Sequence, residues 1–260
     1  MTHQVARAQT SDSAWSSLYR IGGVAALIAG IVFRRNISAE IGLFSPNTSP
    51  VTVSDWFELL QSNRLLGLSH LHIFDVVNYA SVGLVFLALF VALRRANRSA
   101  VTVATGLGLV GIVVYFASNT AFSMLSLSEQ YAAATSDAQR TVLLSAGQAL
   151  LAINRFTNPG AHPGSGGYLS LLLIAVANLV ISVVMLRSDL FNRATAYVGI
   201  LAGAFDLAYC IAYAFVPAVD SHLLAVSFIP AAGLFLMVWH ILVGLGLLKL
   251  GGLEERGVKR

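Results

Sequence analysis

Charge is what this sequence most conspicuously lacks. Asp, Glu, Lys and Arg make up 11% of its 260 residues, where a soluble domain carries about 25%. A soluble surface must be covered with polar groups, so a shortfall of this size cannot be absorbed by a larger core. The hydrophobic share, 57%, and the mean hydropathy of +0.75 match that deficit. Disorder, a collagen repeat and a disulfide scaffold are excluded by the same balance. The net charge of +4 is spread in short clusters beside apolar segments. No continuous basic patch is left to hold nucleic acid, and the clusters suit loops anchored at a membrane surface. The one cysteine, Cys210, lies inside an apolar run. It forms no intramolecular disulfide and reads as a small buried hydrophobe.

What is present is a series of apolar stretches about 20 residues long, the length that crosses a bilayer. Six qualify: 15–33, 68–93, 101–122, 168–186, 195–216 and 223–248. The expected fold is therefore all-α, a polytopic membrane bundle of six transmembrane helices. A polar tail, 1–14, precedes a membrane domain, 15–250, and a second tail, 251–260, follows it. No cleavage site follows a short apolar core near the start, so the first stretch reads as a retained span.

Lys and Arg counted by side set the orientation. One side would hold Arg7, Arg20, Arg94, Arg95, Arg98, Arg187, Arg193, Lys249, Arg256, Lys259 and Arg260, eleven in all. The other would hold five: Arg34, Arg35, Arg64, Arg140 and Arg155. That bias places both termini in the cytoplasm, with the chain in the cell (inner or plasma) membrane. Both long loops then fall outside. In the first, Ser54 or Asp55 is an N-cap signal, and Trp56 and Phe57 suit the lipid interface. In the second, Ser136-Asp137-Ala138-Gln139 opens a helix with Val142, Leu143, Ala146, Ala149, Leu150 and Ile153 on one face. These short amphipathic helices are expected on the outer leaflet or across the mouth of the bundle.

Leu93-Arg94 followed by Asn97-Arg98 is echoed by Leu186-Arg187 followed by Asn192-Arg193. A duplicated two-span hairpin and the general use of Arg at cytoplasmic turns both account for it. Tyr19-Arg20-Ile21-Gly22-Gly23, the stretch Leu125 to Thr135 (LSLSEQYAAAT) and Trp239-His240-Ile241-Leu242-Val243-Gly244 resemble an uncharacterised prokaryotic family of multi-span membrane proteins, a domain of unknown function. The resemblance covers most of the chain beyond the first dozen residues. It implies the six-span layout and brings no activity, cofactor or site residues.

Gly106-x-Gly108-x-x-Gly111 matches the letter of a dinucleotide fingerprint but lacks the preceding strand and the later acid. Close helix packing explains these glycines, as it does Gly22, Ala26 and Gly30, and Gly199 with Gly203. The polar residues within spans are more informative. His72, Asp75 and Tyr79 share a helical stripe with Asn78 at its edge, while His70 points elsewhere. They either satisfy one another or form a proton, ion or substrate site. Asp206 falls about 16 Å along the fifth span, near mid-bilayer. A carboxylate there must be protonated, paired or hydrated. Its candidate partners are Asn178, Tyr209 and the Ser118-Asn119-Thr120 group.

No metal and no cofactor are expected. H-x-x-D is a weak ligand pattern, and His240 lies about 25 Å from the surface near which His72 sits. Trp239-His240 reads as a packing pair. The Gly-x-Ser-x-Gly elbow is missing, His162 reads as surface, and Pro230 should kink the sixth span.

Three functions follow in order of support. The first is binding or translocation of a small molecule in an outer-half pocket of His72, Asp75, Asn78, Asn119, Asn178, Asp206 and Tyr209. The second is a non-catalytic scaffold or accessory subunit packing a membrane-protein partner or a second copy on its glycine faces. The third is a membrane-embedded enzyme with His72 and Asp75 as acid and base. The bilayer is the one partner common to all three.

Overall fold

The computed structural model describes residues 15–40, 50–153, 165–215 and 218–258, with side chains of 33–40, Tyr213, 218–229 and 253–258 excepted. The loop through Asn158 and His162, Pro46, Arg155 and the extreme N-terminal tail lie outside the described residues. Among the described residues the chain is all-helical: α1 (Ser16–Glu40), α2 (Val53–Ser62), α3 (Arg64–His70), α4 (Ile73–Leu93), α5 (Arg98–Ser118), α6 (Ala121–Ala133), α7 (Asp137–Ile153), α8 (Ser165–Met185), α9 (Arg193–Phe215) and α10 (Ala218–Val258). Five segments are long and apolar enough to cross a membrane: Ile73–Leu93, Arg98–Ala133, Ser165–Met185, Arg193–Ala212 and Pro230–Gly252. The apolar part of α1, Ser16–Val32, is shorter. The protein is thus a multi-span membrane protein.

The long helices close into a ring. α1 packs on α4 and α10, α4 on α5, α5 on α8, α8 on α9, and α9 on α10. Neighbours in sequence are therefore neighbours in space, which short antiparallel connections produce in helix bundles. Ala26, Phe86, Leu89, Ala104, Ile181 and Trp239 meet in the core of the ring. The opposite faces are apolar and exposed. On α1, Ile21, Val24, Ile28 and Ile31 are exposed at helical spacing, the stripe a helix offers to lipid. Small residues let backbones approach. A Cβ on Gly22 would fall 2.3 Å from Ala88 Cβ, and one on Gly203 would fall 3.2 Å from the Ala175 carbonyl oxygen. Gly108 likewise receives the Phe86 ring and Gly111 faces the Ser170 carbonyl of α8, so these two glycines of the fingerprint-like run serve helix packing, whereas a Cβ on Gly106 would meet nothing within 4 Å.

α2, α3, α6 and α7 form a cap over one end of the ring with a core of its own, built on Val53, Trp56, Phe57, Leu60, Leu71, Met124 and Leu151. Three local expectations change here. The N-cap of α2 is Thr52, in a full capping box with Asp55 at the third helical position. Trp56 and Phe57 are fully buried rather than lying at the lipid interface, because the cap folds them against α6 and α7. On α7 the buried face carries Gly147 and Leu151, while Val142 and Ile153 are exposed. Gly147 wins that face because a Cβ there would meet Val53 at 2.5 Å, so only glycine lets α2 come so close. The cap is tied together by Ser128 Oγ donating to the Phe57 carbonyl at 3.1 Å and by an Arg64–Glu129 ion pair.

The other end of the ring carries the turns with Arg94, Arg95 and Arg98, and with Arg187 and Arg193. Asn97 Oδ1 accepts from the Ala100 amide and Asn192 Oδ1 from the Ala194 amide, both at 3.1 Å. The sequence echo is thus a repeated helix-start device, in which the side chain satisfies an otherwise unpaired backbone donor.

Candidate functional site

The second apolar stretch is not one helix. It breaks at Leu71 and His72, between α3 and α4. Leu71 is buried in the cap core whereas the following helix joins the ring, and the chain turns between them. His72 makes the turn in the left-handed region, φ 61, the one non-glycine residue to do so among the described residues. Such a conformation costs energy and persists where surrounding contacts over-determine it. Here the contacts are clear. His72 Nδ1 lies 3.1 Å from Asp75 Oδ2, and the His72 carbonyl accepts from the Tyr115 hydroxyl at 3.2 Å.

From this corner a polar network runs into the ring. Tyr115, on α5, stacks on Tyr79 of α4 with ring centroids 3.9 Å apart. Its hydroxyl oxygen accepts from Asn119 Nδ2 at 3.3 Å, and Asn119 Oδ1 takes the Ala121 amide that starts α6. Tyr79 in turn stands in electrostatic reach of Asp75 on one side and of Asp206 and Cys210 on the other, with Ser170 beside its hydroxyl. Four ring helices therefore converge: α4, α5, α8 and α9. The Tyr168 hydroxyl donates to the Cys210 carbonyl at 3.2 Å and clasps α8 to α9 at this level.

Asp206 lies about 20 Å along α9 from Arg193. It is 9% exposed, and among the described residues it has no hydrogen-bond or ion-pair partner. Unpaired buried carboxylates are rare because desolvation of the charge is uncompensated. Tyr209 is buried one turn further on. Asn78 is buried on α4 with its Oδ1 unpartnered.

Asn178 is elsewhere. Its Nδ2 donates to the Gly199 carbonyl at 3.2 Å, about 10 Å down α9 from Asp206. There it joins Ser182 and Trp239, which press on Gly199 and are both buried with unpartnered polar atoms. His240 belongs to this lower group, its ring edge-on to Trp239 and its Nδ1 2.8 Å from the Leu236 carbonyl. The network at the cap end thus gathers His72, Asp75, Asn119 and Asp206 through Tyr79 and Tyr115, and Asn178 faces a second cluster. Tyr115 was not among the residues singled out from sequence. It lies one turn before Asn119 on the same face, so extending that stripe inwards would have found it.

Ionisable groups outside the spans have simpler surroundings. Burial holds the His70 pKa below its ordinary value, and the charge of His72 adds to this. The Asp55 carboxyl is held below the usual carboxylate range by its hydrogen bonds with the Thr52 backbone and side chain.

Fold and site together define a class: a multi-span helical membrane protein with a few ionisable groups, Asp206 among them, buried inside the helix ring. Residues 17–248 match the family described as Domain of unknown function (DUF4386), and the chain belongs to that family. The likeness noted in the three sequence stretches is borne out. No curated protein and no solved structure matches the chain.

Proposed function

We propose that the protein spans the membrane six times with both termini in the cytoplasm and binds or translocates a small molecule at the cap end of the ring. The ligand contacts His72, Asp75, Asn78, Asn119, Asp206 and Tyr209, and Asn178 receives it deeper in the bundle. The sixth span is α1, supported by its exposed apolar stripe and its two neighbours in the ring.

The observation that carries the reading is Asp206: a carboxylate nine-tenths buried, without a hydrogen-bond or ion-pair partner among the described residues, facing Tyr79 from across the ring. Intramembrane ionisable groups usually face a cavity or pathway, and a bound ligand would complete this one. The scaffold alternative relies on glycine faces free for a partner. Gly22, Gly30, Gly199 and Gly203 instead receive atoms of this chain, while Gly106 opens on empty space.

Native mass spectrometry of protein gently extracted from its own membrane tests the reading. A reproducible retained mass, lost in Asp206→Asn while the variant melts within a few degrees of the native chain, is the expected result. Retention of the same mass by Asp206→Asn would remove Asp206 from the site.

A further inference from the structure

At the arginine-bearing end, between the start of α5 and the end of α8, lies an open groove of about 250 Å³. Asn97 and Ala100 form one wall, and Leu179, Val180, Val183, Val184 and Arg187 form the other. Arg187 stands at the mouth. It is exposed, and among the described residues it has no ion pair. Arg98 follows Asn97 on the opposite lip, Arg94, Arg95 and Arg193 belong to the same two turns, and Asp189 is the one carboxylate among them. Below the mouth the groove is apolar. Leu179 lies eight residues, about 12 Å along the helix, from Arg187. Val183 is 41% exposed on the ring's outer, lipid-facing surface.

We infer that this groove is a binding site for an anionic phospholipid, with the phosphate at Arg187 and an acyl chain along Val183, Val180 and Leu179. Two features select this occupant. The charge at the mouth is predominantly positive, five arginines against Asp189 in the two turns, which suits a phosphodiester, and Arg offers it paired donors. The apolar floor opens sideways towards the bilayer, so a chain enters without leaving hydrocarbon, whereas a free phosphate would leave the floor unfilled. Basic pockets between spans beside apolar helix faces are how membrane proteins select anionic headgroups. The site is independent of the polar network at the cap end.

The test uses the full chain, delipidated in detergent and titrated with phosphatidylglycerol or with phosphatidylcholine of identical chains. Bound lipids are counted by native mass spectrometry. The native chain should hold phosphatidylglycerol about fivefold more tightly than phosphatidylcholine, the factor one arginine contributes near an anionic group. Arg187→Gln should bring the two lipids close to parity and Arg187→Lys should keep most of the preference. Val183→Trp, an exposed position that tolerates bulk, should weaken both lipids by filling the floor. Equal retention of the two lipids by the native chain, or an unchanged preference in Arg187→Gln, would overturn the proposal. Glycerol 3-phosphate displacing phosphatidylglycerol at comparable concentration would also overturn it, because the site would then recognise phosphate without a chain.

Discussion

His72 shows how one residue can connect two regions of a membrane protein. Its left-handed backbone turns the chain from the cap into the ring, its ring nitrogen meets Asp75, and its carbonyl holds Tyr115. Two residues back in the cap, His70 lies edge-on to the buried Trp56 with its pKa lowered by burial and by His72. The sign of its linkage follows. The unfolded chain binds the proton near the ordinary histidine value of 6.5 and the folded chain only at lower pH, so stability falls as pH drops below 6.5. Asp55 acts in a lower window. Its folded pKa is depressed, so its stabilisation is present above the ordinary carboxylate value of 3.8 and is lost as pH falls through the folded value. Melting followed from pH 8 to pH 4 should decline below 6.5, modestly because His70 is part-exposed. His70→Gln should flatten that decline, and an unchanged profile in the variant would assign it to another group.

At the scale of elements, α9 presents Gly199, Gly203, Asp206 and Cys210 along one stripe, at the i, i+4, i+7, i+11 spacing of a helix face. Gly203 brings the α8 backbone at Ala175 and Leu179 close while Gly199 receives the Ser182 and Trp239 side chains, and that approach holds Asp206 at the level of Ser170 and Tyr79. A side chain at 203 must displace backbone on α8, so Gly203→Leu should destabilise by about 1–3 kcal/mol or more, the range for overpacking a filled interface. Gly106→Leu is the matched control. Nothing lies within 4 Å of a Cβ there, and its effect should stay within about 0.5 kcal/mol. Thermal melting in one detergent compares the two. Equal losses would mean that close approach at Gly203 does not govern its effect, since helix propensity favours leucine over glycine at both positions.

For the whole molecule, a closed ring of sequential helices with a cap at one end makes the orientation measurable. Cys210 is buried, and Cys210→Ala gives a background without cysteine. Thr141→Cys lies on the exposed face of the cap, Ala96→Cys in the α4–α5 turn and Ser17→Cys at the start of α1. With six spans and cytoplasmic termini, a membrane-impermeant maleimide on intact cells should label only Thr141→Cys. The other two should react after permeabilisation. Labelling of Ala96→Cys but not Thr141→Cys would invert the molecule, and separation of Ser17→Cys from Ala96→Cys would remove α1 from the count of spans.

Composition alone decided that this chain lives in a membrane, since charge so sparse cannot cover a soluble surface. Periodicity and length placed α5, α8 and α9 to within a few residues, because a helix in lipid must satisfy its backbone internally and needs a fixed length to cross, while α1 and α10 run past the expected ends, to Glu40 and Val258. The polar residues at His72, Asp75, Asn119 and Asp206 were legible for the same reason: hydrocarbon makes each of them costly. Partnership was not legible. Asn178 pairs with Gly199 rather than with Asp206 because the relative rotation of α8 and α9 is set by glycine contacts, and a single helix carries no record of its neighbour's rotation. The cap was misread in detail for a related reason. Trp56 and Phe57 suit an interface or a core equally well by type, and only the folding of α2 against α6 and α7 buries them. The break at His72 is likewise tertiary. The run from 68 to 93 carries no proline and no glycine before Gly83, and what bends it is the pull of Leu71 into one core and of α4 into another.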